Sequence, residues 1–333
     1  MALAERHPVP ELCGPIAFQP GPHTYHVNGV RAPRSCTSVV TACFPRFKPR
    51  RSINAFFDGW RKSGRSKYES IIAKSKTSAA AKRAIAAQWV AAADVGRSSG
   101  SALHAAIEDE LNEVPPERRA PLGDGEGGLA EQYAAFLEWR RTWAAERQLT
   151  PYRVELCVCW MRTDEGHEHE PALAGAIDAL FVDQDGNYWM IDWKRARRFG
   201  PHDRHYDRFG YGPCAAQPDT AYRKYCFQMA LYRQMLLKST GIDVGSRRYL
   251  VRFGRDDPER RDALGVVDAL HAGDVPGIDY AAAEALARLE RGEPLLRARE
   301  GSDPEDEDDP LELWDEEDGE EGEAAHAAAL AAR

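Results

Sequence analysis

The sequence contains no uninterrupted apolar run approaching the roughly 18 residues that a membrane span requires, so no membrane partner is expected. Its opening stretch, MALAERHPVPELCGP, has neither the basic head nor the apolar run and small-residue cleavage site of a secretory leader. The protein is therefore expected to be intracellular, in cytoplasm or nucleus (a host's, if the chain is viral). Paired cysteines are also missing. The seven present (Cys13, Cys36, Cys43, Cys157, Cys159, Cys214 and Cys226) are odd in number and form no CxxC. That argues against a disulfide framework or zinc ribbon and for reduced thiols. No internal repeat is found. Positive charge is short overall, at a formal net of −9, which looks unsuited to a polyanionic partner.

The charge is unevenly spread. Residues 301–333 hold fourteen Asp or Glu against one Arg, a net of −13, which leaves +4 for residues 1–300. Within that part, KRARRFGPHDRHYDR (194–208) is a basic cluster suited to phosphate. Standing alone, such a run is as readily a solvated loop. With 333 residues and 43% hydrophobic content, the chain can bury a sizeable core.

Four regions follow from pattern. In residues 1–50, IAFQPGPHTYHVNGVRAP alternates polar and apolar positions around Asn28-Gly29, which predicts a β-hairpin, and Ser35 to Phe44 predicts a short capped helix ended by Pro45. Residues 51–150 predict a helical region. An Ala-rich stretch runs into SALHAAIEDELN, and an amphipathic helix over 129–148 places Leu129, Tyr133, Phe136, Leu137 and Trp143 near one face. In residues 151–298 the period changes. Strands are predicted over 152–160, 172–182 and 187–194, the last two joined across Asp185-Gly186, with a helix over 219–240 stopped by Gly241. A strand over 246–253 and a helix over 280–291 complete that part. Residues 299–333 predict an acidic, disordered tail. The order predicts an α/β (α+β) fold whose mixed central sheet is flanked by helices, with a helical N-terminal region.

The chemistry concentrates in the last two of the three strands. Side chains alternate along a strand, so Met190, Asp192 and Lys194 share one face while Ile191 and Trp193 take the other. Asp178 interrupts an otherwise apolar Gly-Ala-Ile-Asp-Ala-Leu-Phe run on the paired strand. A carboxylate there is rare unless paired or metal-bound. The hairpin brings Asp178 and Asp192 within a few residues of being opposite, and on a shared face the two would repel each other. Two such carboxylates either share a proton or bind a cation, and a hard ion such as Mg²⁺ suits them. Lys194 would orient or deprotonate water, or stabilise developing charge, in a phosphodiesterase site.

Asp178 followed, after strand-turn-strand, by Asp192-Trp193-Lys194 resembles motifs II and III of the PD-(D/E)XK nucleases. The branch it looks like is the RecB-type and phage exonuclease group, with the mitochondrial genome maintenance exonucleases. GRSSGSALH (96–104), continuing into Ile107-Glu108, resembles the helical motif whose His is a metal ligand there, and Glu155 looks like the upstream carboxylate. Gln228 and Tyr232 match QxxxY, placed by the family near the active site and DNA. HTYHVNGVRAPRSCTSVV (23–40) looks like the lead-in of viral and phage members. The resemblance covers about residues 15–255 and implies a restriction-endonuclease-like fold. It makes His104, Asp178 and Asp192 ligands of Mg²⁺ or Mn²⁺, with Glu155 assisting and the Trp193 carbonyl an extra ligand. Arg195, Arg197 and Arg198 join Gln228 and Tyr232 as DNA-binding candidates. No cysteine follows Cys226, so the iron–sulfur cluster of some members is not expected.

Each feature also has a plainer reading. An Asp and Lys two apart in a strand commonly form a surface ion pair, His104 could pair with Glu108 one helical turn on, and Glu155 could be a buried carboxylate held by backbone. Gln228 and Tyr232 also suit an ordinary amphipathic helix. The order of the motifs favours a metal-dependent DNA nuclease, an exonuclease ahead of an endonuclease. A non-catalytic DNA-binding or recruitment protein is the rival. The tail is open to three readings: a solubilising segment, a protein-partner peptide around Leu311–Trp314, or a DNA mimic.

Overall fold

A computed structural model describes residues 2–296 apart from 23, 65, 120, 121, 123–127, 197, 198 and 254–266. The expected tail at 299–333 and the candidates Arg197 and Arg198 lie outside the described residues. Two compact units are present, Met1–Pro45 with Ser99–Arg297, and a second containing Arg46–Ser98. The helical region expected over 51–150 is divided between them after Ser98.

The chain opens with α1 (Leu3–Arg6) and a small antiparallel sheet of β1 (Ile16–Gln19), β2 (Thr24–Val27) and β3 (Val30–Arg31). Asn28 and Gly29 turn β2 into β3 with φ of 52° and 82°, the left-handed pair a type I′ turn demands. Strand β1 adds a third member to the expected hairpin. Next comes α2 (Cys36–Cys43), whose Ser35 Oγ accepts from the Ser38 amide at 3.2 Å and which stops before Pro45.

The second unit holds α3 (Pro49–Ser63), α4 (Glu69–Lys74) and the first part of α5 (Ser78–Leu111) around Ile53, Phe57, Tyr68 and Ile85. Helix α5 continues through Gly96 and Gly100 unbroken. Its last turns belong to the first unit, where Leu103, Ile107 and Leu111, four apart, bury one stripe.

Helix α6 (Leu129–Trp139) passes directly into a π-turn over Arg140–Ala144. Its buried face is centred on Gln132, Phe136 and Trp139, and Leu137 stands 38% exposed. The expected face is thus rotated. Leu137 lies about 100° beyond Phe136 on the helix, past the edge of the stripe.

The main sheet follows as β4 (Thr150–Met161), β5 (Pro171–Val182) and β6 (Tyr188–Arg195), then helix α7 (Ala221–Thr240), β7 (Arg248–Phe253), β8 (Val267–His271) and α8 (Ile278–Glu290). Strand order is β4-β5-β6-β7-β8, antiparallel throughout except for the parallel pair β6/β7 that α7 connects. This is the expected mixed α+β layer arrangement, with β8 as an additional edge strand. Apolar side chains cover both faces. Leu180, Met190 and Leu250 pack with α2, α7 and α8, while Ala179, Ile191, Trp193 and Val251 pack with α6 and the end of α5.

One glycine is required by this packing. A Cβ on Gly175 of β5 would stand 2.8 Å from Tyr232 Cε1 and 3.4 Å from Cys36 Sγ. Gly175→Ala is expected to destabilise by about 1–3 kcal/mol as the ring is forced away from the strand. Urea unfolding measures it, and an unchanged midpoint would show that the ring has room to move.

Candidate metal centre

The centre begins where two strands part. Strands β5 and β6 are paired from Val182↔Tyr188 only as far as Ala179↔Ile191. Beyond that point β5 stays with β4, and β6 stays with β7 through Arg195↔Phe253. Asp178 and Asp192 are the first residues past the split. The Trp193 amide, without a ladder partner there, donates instead to Asp178 Oδ2 at 2.8 Å.

Trp193 is pinned at this position by its side chain. The indole is 2% exposed and lies edge-on to Phe136, Trp139 and Phe181, with ring centroids 5.2–6.5 Å away. Its backbone then holds two site residues at once. While the amide holds Asp178, the carbonyl is 2.9 Å from His104 Nε2 on α5. A carbonyl only accepts, so in the neutral ring the proton sits on Nε2 and Nδ1 carries a lone pair. That nitrogen is 3.6 Å from Asp178 Oδ2. The Trp193 carbonyl, expected as an extra ligand, therefore acts as the partner that orients the imidazole.

Glu155 completes the group. It has φ of 46° inside β4, a left-handed conformation unusual for a non-glycine residue in a strand. Such strain costs on the order of 1–3 kcal/mol and concentrates at functional sites. One ligand atom each from His104, Glu155 and Asp178 lie within 4.8 Å of one another, and no other such group of three occurs among the described residues. One imidazole nitrogen and two carboxylate oxygens at that spacing fit a divalent cation. Bonds of about 2.0–2.6 Å to each would span the gap.

Asp192 stands beside this group rather than in it. It is 3% exposed, and its Oδ2 lies 2.6 Å from Lys194 Nζ. The contact is a close ion pair, and that oxygen has no other partner among the described residues. Lys194 in turn lies over the ring of Tyr225, 5.0 Å from its centroid. Tyr225 is a site residue that sequence reasoning passes over. Its only signal is its place one helical turn before Gln228 on α7.

The electrostatics are those of crowded carboxylates. Burial raises the Glu155 carboxyl to about 8, helped by the negative charges of Asp178, Glu108 and Asp192. The residue as a whole is exposed, so solvent reaches one side of a group that is otherwise hemmed in. Burial also pushes Asp192 up, with Asp178 adding to it and Lys194 opposing. For Lys194, burial favours the neutral amine, but Asp192 and Asp178 outweigh it and hold the ammonium charged.

A pH dependence follows from Glu155. The folded chain keeps this proton to about pH 8, whereas an unfolded chain releases it near 4.5. The folded state therefore binds more protons across that window, and metal-free stability falls as pH rises through it. Melting temperature without metal is expected to drop between about pH 5 and pH 8, less steeply in Glu155→Gln. The increment from added Mg²⁺ should grow over the same range as the ion replaces the proton. A metal-free melting temperature that falls equally in both proteins would show that Glu155 is not responsible.

The other candidates fall in different places. Tyr232 is 7% exposed and packs against Gly175, so it faces the core rather than solvent. Gln228 is half-buried on the same helix. Arg195, half-buried, donates through Nε to Gln132 Oε1 at 2.7 Å. No family model matches the chain, and no curated protein matches it.

Proposed function

We propose that the chain is a divalent-metal-dependent DNA nuclease of the PD-(D/E)XK type, acting as an exonuclease. One observation carries the reading: His104, Glu155 and Asp178 converge within 4.8 Å at a split in the sheet, next to a buried Asp192–Lys194 pair. Binding alone would not crowd four carboxyl groups (Glu108, Glu155, Asp178 and Asp192) where a phosphate must approach, because each one that ionises repels it. A cation between them reverses the sign.

His104, Glu155 and Asp178 would hold Mg²⁺ or Mn²⁺, with Asp192 at its edge. The bound ion would supply Lewis acidity toward a phosphodiester and acidify water. Around it the chain's own groups have separate tasks. Trp193 fixes the imidazole and Asp178 through its backbone. Glu155 would have to be ionised to hold the ion, giving its proton to solvent. Lys194, held charged, stabilises negative charge on the phosphate or leaving oxygen and does not serve as a base. The parallel β6-α7-β7 crossover carries Tyr225 beneath Lys194.

The test uses end-labelled single- and double-stranded DNA and closed circular DNA, with Mg²⁺, Mn²⁺ or EDTA. Shortening from the ends, abolished by EDTA, with circles left intact, is the expected result. Cutting of circles would make the enzyme an endonuclease. Activity in EDTA, or DNA binding with no turnover under any divalent ion, would overturn the proposal.

A further inference from the structure

Residues 46–98, the described part of the second unit, have a charge the whole-chain figure conceals. They carry thirteen Lys or Arg against three Asp or Glu, a net of +10, so the rest of residues 1–300 is −6. Within this segment Asp58 meets Arg61 at 3.2 Å and Asp94 pairs with Arg97, and Glu69 is its third acid.

The described part of the unit has a core of its own. Ile53, Phe57, Tyr68, Ala81, Ile85 and Ala86 are buried together, and Trp89 Nε1 donates to the Tyr68 hydroxyl at 2.6 Å. Against that core stand two rings turned outward. Phe47 is 66% exposed and Phe56 60% exposed. Each is backed by a tryptophan, Phe56 stacked on Trp60 at 6.2 Å and Phe47 beside Trp89 at 5.6 Å. Exposed Arg61, Lys62, Lys67, Lys74 and Lys76 belong to the same unit.

We infer that this unit is a binding surface for single-stranded nucleic acid, with cations taking the phosphates and Phe47 and Phe56 stacking on unpaired bases. Duplexes hide their base faces, so the outward rings would have no use on them. Flat aromatic platforms set among cations are what sequence-tolerant single-strand binding requires. This surface goes beyond the proposed nuclease site and does not depend on it.

Binding is measured with the full chain in EDTA by fluorescence anisotropy of a labelled oligothymidylate about 20 nucleotides long. Log affinity is expected to fall with log salt at a slope of about −3 or steeper. Phe47→Ala with Phe56→Ala should weaken binding by about tenfold or more, and Phe47→Trp with Phe56→Trp should preserve it. Lys62→Glu with Lys76→Glu should flatten the salt slope by about 1–2. Circular dichroism confirms that the variants remain folded, as their exposure predicts. Absent binding at low salt, unchanged affinity without the rings, tighter binding to the matching duplex, or preference for anionic lipid vesicles would each overturn the inference. Because EDTA removes chemistry from the measurement, failure of the nuclease assay leaves this result standing, and the reverse holds.

Discussion

Asp178→Asn is expected to lower DNA cleavage by about three orders of magnitude while raising the melting temperature of the metal-free protein. The two effects have one cause. The amide oxygen of Asn can still accept the Trp193 amide proton that Asp178 Oδ2 takes at 2.8 Å, so the strand split is preserved. What disappears is a negative charge beside Glu155 and Asp192, both of which Asp178 pushes toward protonation. Relief of about 1 kcal/mol of repulsion corresponds to roughly 2–4 °C in a domain of this size. Loss of one ligand charge removes about 4 kcal/mol of transition-state stabilisation, which at 1.36 kcal/mol per tenfold is about 10³ in rate. A residue kept for function against stability behaves this way. Activity within tenfold of the parent, or a lower metal-free melting temperature, would contradict the assignment.

Lys194→Met should have the largest effect on stability. The Lys194 side chain is 18% exposed and that of Asp192 only 5%, so removing the ammonium leaves a nearly buried carboxylate without its cation. Breaking such a pair from one side costs about 3–5 kcal/mol. Cleavage should fall as well, by about 10²–10⁴, since the fixed positive charge next to the phosphate is lost. The double variant Asp192→Asn/Lys194→Met separates the two roles. It should recover most of the stability, because a neutral pair of similar volume has no charge to desolvate, but none of the activity. Chemical unfolding and single-turnover cleavage read the two quantities independently. Full stability in Lys194→Met, or activity restored in the double variant, would show that the pair is a surface salt bridge of little consequence.

The elements of the fold were legible where local chemistry is strong. Asn28-Gly29 and Asp185-Gly186 mark their turns because both need left-handed backbone, and Ser35, Pro45 and Gly241 bound their helices by capping and by steric exclusion. Alternation alone puts Asp192 and Lys194 on one face of β6. The apolar residues on either side of Asp178 are enough to mark its carboxylate as out of place in an ordinary strand.

The rest depends on tertiary geometry. Nothing in VDALH (267–271) marks β8 over other short segments, and the π-turn at 140–144 has no sequence signature that period analysis detects. The split between β5 and β6 decides which groups meet. It makes Glu155, whose reading from sequence is evenly balanced, a member of the tight group and leaves Asp192 against Lys194. The carbonyl of Trp193 is indistinguishable from any other in sequence, yet it sets the imidazole tautomer. The charge of residues 46–98 was hidden by averaging it over the folded part with a region of opposite sign.

The most direct test of the account is anomalous scattering from a crystal of the protein soaked in Mn²⁺. A single strong peak is expected within about 2.0–2.6 Å of His104 Nδ1 and of carboxylate oxygens from Glu155 and Asp178, and it should vanish in Asp178→Asn. Saturating Mn²⁺ with no peak between those three side chains, or His104 found with Nδ1 turned away from them, would contradict it.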